Sequence, residues 1–209
     1  MISRKQITNK INYYLRNWKN TKNRKRLKAK NITVLSSNCI GGFVLHDLNQ
    51  KFNSPFINLY LTAKDFIQYL KHIEYYHNQS LQFITTEKRY PVAKLDNLTI
   101  HFMHYHSEQE AKDKWENRTK RMSLENLFIV MTDRDGCTYQ DLVEFDNLPF
   151  KHKIIFTHQP HPELKSTVYI AGFEQNGMVG DLFEYTGLNG KRYYDYFDFV
   201  DWFNQAEKN

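Results

Sequence analysis

Three short, nearly charge-free runs constrain what this chain can fold into: residues 32–35 (ITVL), 127–131 (LFIVM) and 153–156 (KIIF). Runs of four or five apolar and β-branched residues suit strands that are covered on both faces. Each run ends in a polar turn that contains Gly or Pro, at 36–42, 132–137 and 157–161. At least two of these turns lead into helical patterns. Alternation of this kind predicts a three-layer α/β sandwich with a largely parallel or mixed sheet. In such sheets ligands bind beyond the carboxyl ends of the strands, so the three turns are expected to share one crevice.

The remaining pattern fills in around these strands. Helices are expected over 42–49, 63–77, 107–121, 138–147 and 193–202. Further strands are expected over 56–61, 81–84, 92–95, 98–105 and 167–171, with a hairpin near Asn176-Gly177. Thr62, Ser107 and Thr138 sit where N-caps belong; Ser107 is followed three residues on by Glu110 and Thr138 by Asp141. The domains expected are a basic amphipathic arm over 1–30 and one α/β domain over 31–209.

Charge sets the arm apart. The first 30 residues hold eleven Lys or Arg and no acid, which leaves 18 basic against 23 acidic residues in the rest. Ile7, Ile11, Tyr14, Leu15 and Trp18 recur at helical spacing among the basic residues. Such a helix can lie on an anionic inner membrane leaflet through residues 1–30. The plain alternative is an apolar stripe packed on the body with a solvated basic face. The body lacks the basic surface of a dedicated nucleic-acid binder, which argues against nucleic acid as a partner. No apolar run approaches the roughly 20 residues of a membrane span. Two cysteines and no secretory pattern predict reduced thiols in the cytoplasm.

The segments SSNCIGG, YPVAKLDNLTIHFMHYHSEQEAKDKWENR, FIVMTDRDGCT and GKRYYDYFDFVDW resemble the bacterial domain-of-unknown-function family nineteen-nineteen, from about residue 32 to 204. Its members are often labelled exopolysaccharide or capsule biosynthesis proteins. The resemblance implies a compact α/β fold and a surface-glycan setting. It assigns no catalytic residues and no cofactor.

Candidate site residues therefore come from chemistry alone. Cys39, at an expected helix start, would have its thiolate favoured by backbone N–H groups. His46, His104 or His158 could serve as its base, and burial below the turn is the bland alternative. Ser37, Asn38, Gly41 and Gly42 form a turn that can cradle a phosphate. Asp133 and Asp135 alternate, which in extended backbone puts both on one side, as an acid–base pair or a holder of a divalent ion. Arg134 between them can clamp a phosphate or carboxylate; the alternative is a capping Asp and a salt-bridged Arg. His158 follows its strand directly and is a candidate acid or base. Cys39, Cys137 and His158 would make a three-ligand metal set only if their turns met. Lys191 and Arg192, beside Tyr193 and Tyr194, can grip an anionic or sugar ligand.

Together these readings predict a transferase of surface-polysaccharide biosynthesis. It would move an acyl or glycosyl group from a phosphate-bearing donor, a coenzyme A thioester or a nucleotide sugar, to a glycan acceptor. The alternative is a non-catalytic module that binds glycan or nucleotide sugar.

Overall fold

The computed structural model describes the backbone of residues 4–208 and the side chains of 6–206. In chain order the elements are α1 (Arg4–Arg26), β1 (Thr33–Ser36), α2 (Ile40–Asp47), α3 (Ala63–Lys71), α4 (Ile73–His77), β2 (Gln82–Ile84), β3 (Val92–Leu95), β4 (Leu98–His101), α5 (Glu108–Thr119), β5 (Leu127–Thr132), α6 (Tyr139–Asp146), β6 (Lys153–Thr157), β7 (Thr167–Tyr169) and α7 (Phe199–Phe203). A 3-10 turn, Tyr193–Tyr196, precedes α7, and a second, Asn204–Lys208, follows it.

The main sheet is parallel throughout, in the order β1-β5-β6-β7. A parallel sheet needs cover on both faces, and alternate residues supply it. Leu35, Ile129, Met131 and Ile155 face a core shared with α3, α5, α6 and the antiparallel sheet β2-β3-β4. Val34, Phe128, Val130, Ile154 and Phe156 face the opposite core, built with α2 and α7. The expected three-layer α/β arrangement with its N-terminal helix is therefore present.

Three expected N-caps form: Thr62, Ser107 and Thr138 accept hydrogen bonds from the N–H groups of Asp65, Glu110 and Asp141. Three expected elements differ. Residues 56–61 form no strand, because Asn58 adopts left-handed backbone (φ 62°) and breaks the pleat. Phe56, Ile57, Leu59 and Leu61 are nonetheless buried there. This segment lies along the outer edge of β1: Asn53 Nδ2 donates to the Ile32 carbonyl and Leu61 N–H to the Ser37 carbonyl. That cover accounts for an edge strand buried at every position. Tyr60 exchanges two backbone hydrogen bonds with His101, joining the segment to β4. The expected 63–77 helix is split at His72, which leaves helical backbone (φ −129°, ψ 41°). No strand forms after Asn176-Gly177, so the hairpin expected there is absent among the described residues.

The N-terminal helix is mounted the other way round from the plain alternative, in which its apolar stripe packs on the body. Asn12, Arg16 and Asn20, one polar line at i, i+4 and i+8, are 1–4% exposed. Arg16 donates from Nε (2.9 Å) and Nη2 (2.5 Å) to Asp47 Oδ2, from Nη2 to Tyr194 OH (2.7 Å), and from Nη1 to Asp195. Asn20 Nδ2 donates to Asp47 Oδ1. Asn12 bonds to the Gly187 carbonyl and accepts from Gly190 N–H. The helix thus docks through its polar face, and its apolar stripe is the part left in solvent. Among the described residues no helix is long and apolar enough to cross a membrane.

Candidate functional site

A crevice of about 530 Å³ opens beyond the carboxyl ends of β1 and β5. This is where a parallel α/β sheet presents ligand sites, and two of the three predicted turns meet there. Asn38, Cys39 and Ile40 come from the turn after β1, and Thr132, Arg134 and Asp135 from the turn after β5. Asn38 Nδ2 donates to Thr132 Oγ1 at 2.8 Å and ties the two together. The walls are apolar and aromatic: Phe43 of α2 stacks on Phe183 at 4.8 Å, and Tyr60 and Tyr90 stand opposite with Met103 and His104. Tyr60 lies flat on His101 (4.4 Å) and its hydroxyl is 3.4 Å from that of Tyr90, which fixes the ring.

Charge in the crevice is sparse. Arg134 Nη1 donates to Asp181 Oδ1 at 2.5 Å. Asp135 is the remaining carboxylate there, held in left-handed backbone (φ 57°) before Gly136. Burial pushes its carboxyl above the usual carboxylate range, against the lowering influence of Arg134. A carboxylate shifted in this direction is a stronger base when ionised and a competent acid when protonated.

The same left-handed turn corrects the reading of the aspartates as a pair, since the backbone is not extended through it. Asp133 turns inward and is 6% exposed. Its Oδ2 accepts from His158 N–H (2.7 Å) and His158 Nδ1 (2.5 Å), and its Oδ1 from Val179 N–H (2.8 Å). Asp133 and His158 therefore form a dyad that joins β5 to β6, and His158 is not among the crevice-lining residues. Among the described residues no three His, Cys, Asp or Glu side chains are grouped to hold a metal ion. Cys137 packs at the edge of the core on the α3 side, where burial pushes its thiol up to about 12.

Cys39 does line the crevice, but its environment opposes the thiolate. Burial pushes the thiol up to about 11, more than Arg134 lowers it, and Asp135 and Asp181 add to the rise. Its Sγ lies 4.0 Å from the Leu59 carbonyl oxygen. His46, one suggested base, sits on the last turn of α2 with a largely exposed side chain. His104 shares the crevice with Cys39.

The turn is also less available to a phosphate than its sequence suggests. Ile40 N–H is taken by Asn38 Oδ1 and Gly41 N–H by Ser36 Oγ. Ser37 is buried, with its N–H donated to the Val130 carbonyl. Gly41 serves packing: a Cβ there would meet Ser36 Cβ at 2.8 Å and Val34 Cγ1 at 3.0 Å. Gly42 has ordinary room, with Ile57 at 3.5 Å. Arg192 lies behind the crevice, 5.7 Å over the Phe43 ring and 4.0 Å from Asp47, within the network that docks α1.

The family model described as Domain of unknown function (DUF1919) matches residues 10–204. The chain belongs to this family. A Haemophilus influenzae relative, described as an uncharacterized protein, is 57% identical over 201 residues, which covers 96% of this chain and 98% of that protein. The family match begins within α1, so in this DUF1919 chain it takes in the polar docking line as well as the crevice. Tyr60, Tyr90, Phe183 and Asp181 were absent from the sequence-derived candidates. Tyr60 lay hidden in an apolar run, and nothing local marks Asp181 as a partner for Arg134.

Proposed function

We propose that this protein is a cytoplasmic transferase of surface-polysaccharide assembly. It would move an acyl or glycosyl group from a phosphate-bearing donor to a hydroxyl of a glycan. The observation that carries this reading is the crevice itself, in which aromatic walls enclose few polar groups and one carboxyl is raised by burial. Aromatic rings offer flat faces to the C–H surfaces of a sugar, and Asn38, Arg134 and Asp135 offer hydrogen bonds to its hydroxyls. Asp135 takes the proton of the attacking hydroxyl. The new bond forms from that oxygen to the acyl or anomeric carbon, and the donor's thiolate or diphosphate leaves with the bonding pair. Arg134 is the cation in the crevice that would meet donor phosphates. The acceptor setting places the protein at the cytoplasmic face of the membrane.

A specific observation favours a second reading, a non-catalytic glycan-binding module. The thiol of Cys39 is held protonated and the first N–H groups of α2 are already bonded. Asp135→Asn separates the two readings, because Asn tolerates the left-handed backbone and keeps the shape. Native mass spectrometry with acyl-coenzyme A and nucleotide-sugar panels finds the donor, and turnover with oligosaccharide acceptors is then measured. The transferase reading expects kcat to fall roughly 10²- to 10⁴-fold in the variant, with donor binding retained. Glycan binding without turnover in the native protein leaves the module reading, and absence of both removes the glycan assignment.

A further inference from the structure

We propose that the outward face of α1 is a docking surface for an anionic lipid bilayer. This deepens the membrane placement given above, and it stands independently of any chemistry in the crevice. The buried line Asn12-Arg16-Asn20 fixes which side of the helix meets the body. By helical spacing, Ile7, Ile11, Tyr14 and Trp18 lie on the opposite side, and they are 43–62% exposed. Four large apolar side chains in register on a well-anchored helix form a stripe, unlike scattered surface hydrophobics. The helix need not undock to offer it, since its other face is pinned by buried hydrogen bonds to Asp47, Tyr194 and Asp195.

Charge selects the occupant. Lys10, Lys22 and Lys25 are exposed beside the stripe, and Lys22 Nζ sits 3.5 Å over the Trp18 ring. Trp and Tyr rings at the boundary of an apolar stripe, with lysines alongside, suit the headgroup region of a bilayer. The 23-residue helix is about 34 Å long, enough to lie along the surface with the whole stripe engaged. A second copy of the chain fits this face poorly. The first 30 residues carry eleven basic groups and no acid, so two such helices would meet with like charge. The rest of the chain, with its acidic excess, is repelled by the same surface, which turns α1 toward the lipid.

The test uses the full-length protein and phosphatidylcholine vesicles with or without phosphatidylglycerol, without donor or acceptor. Its failure therefore leaves the transferase reading untouched. Trp115 and Trp202 are buried, so a blue shift of tryptophan emission on vesicle addition reports Trp18. We expect cosedimentation with the anionic vesicles, weakened by salt, and a blue shift. Ile11→Ser combined with Trp18→Ser should weaken binding about tenfold or more while leaving the melting temperature within about 2 °C. Lys10→Glu with Lys25→Glu should abolish the preference for anionic lipid. Absence of binding to anionic vesicles, or binding that the serine variant leaves unchanged, overturns the proposal. So does light scattering that finds a dimer which the serine variant dissociates.

Discussion

Arg16→Met asks whether a buried ion network, and not an apolar stripe, holds α1 to the body. Arg16 is 4% exposed, and its guanidinium bridges two carboxylates and a phenol: Asp47, Asp195 and Tyr194. Methionine keeps much of the volume and removes the charge. Breaking one partner out of a buried pair costs about 3–5 kcal/mol, because the other charge stays buried without compensation. Here compensation is partial: Lys19 Nζ remains 2.9 Å from Asp195, and Arg192 Nη1 remains 4.0 Å from Asp47. The loss should fall at the lower end, about 3 kcal/mol, or a melting temperature lower by roughly 6–12 °C for a chain of this size.

The pH dependence of that loss is the sharper test. Burial, the largest single influence on Asp47, pushes its carboxyl up, but Arg16, the Tyr194 hydroxyl and Arg192 together hold it below the usual range. A carboxyl depressed in the folded state contributes stability above its unfolded pKa, about 3.9, and that contribution is lost as pH falls through the folded value. Without Arg16, burial governs, and the ionised Asp47 becomes a cost that protonation relieves. Urea unfolding of both proteins at about pH 7 and about pH 5 should therefore show a deficit that shrinks on acidification. A deficit below about 1 kcal/mol at neutral pH, or one that does not change with pH, would refute the assignment of this network as the anchor.

Two further predictions concern the turn after β1. Gly41→Ala must push Ser36 or Val34 aside, and should destabilise by about 1–2 kcal/mol after the gain in helix propensity is counted. Gly42→Ala, whose Cβ meets only ordinary contacts, should be neutral or stabilising by up to about 1 kcal/mol; equal melting temperatures for the two variants would contradict the packing role given to Gly41. A Cys39 thiol raised by burial to about 11 holds roughly 100-fold less thiolate near neutral pH than an unshifted thiol. Its greater intrinsic nucleophilicity recovers about tenfold, so iodoacetamide should label Cys39 roughly tenfold more slowly than an unstructured cysteine peptide; labelling at the peptide's rate would mean that the site activates the thiol.

The layer architecture was legible because a parallel sheet demands strands with buried, charge-free interiors, and residues 127–132 and 154–157 meet that demand, with Lys153 only at the entry to its strand. The caps were legible because Thr62, Ser107 and Thr138 act on neighbours three residues away. The site was legible only as far as its turns. Which side chain faces the crevice depends on the left-handed backbone at Asp135, and an Asp-Gly pair in sequence does not say which way the preceding Asp133 will turn. The bonds that occupy the start of α2 depend on Asn38 and Ser36 folding back, and those residue types equally suit an open anion site.

The N-terminal helix carries the more general lesson. Amphipathic patterning identifies two faces but not which one meets the protein. Orientation is decided by the body: Asp47, buried at the end of α2, together with Tyr194 and Asp195 requires cationic and amide donors, and Arg16 and Asn20 of the polar line supply the closest of them, with Lys19 and Arg192 beside them. Turning the helix to bury Ile11, Tyr14 and Trp18 would gain apolar area and put Arg16 in water, but it would leave Asp47 buried without its arginine. The cost of leaving that buried carboxylate short of its arginine is several kcal/mol, comparable with burying two or three large side chains. The apolar gain and the charge cost are therefore of similar size, and the buried acid on α2 tips the balance. An exposed apolar stripe then follows from the electrostatics of the body, and it leaves that surface free for another partner.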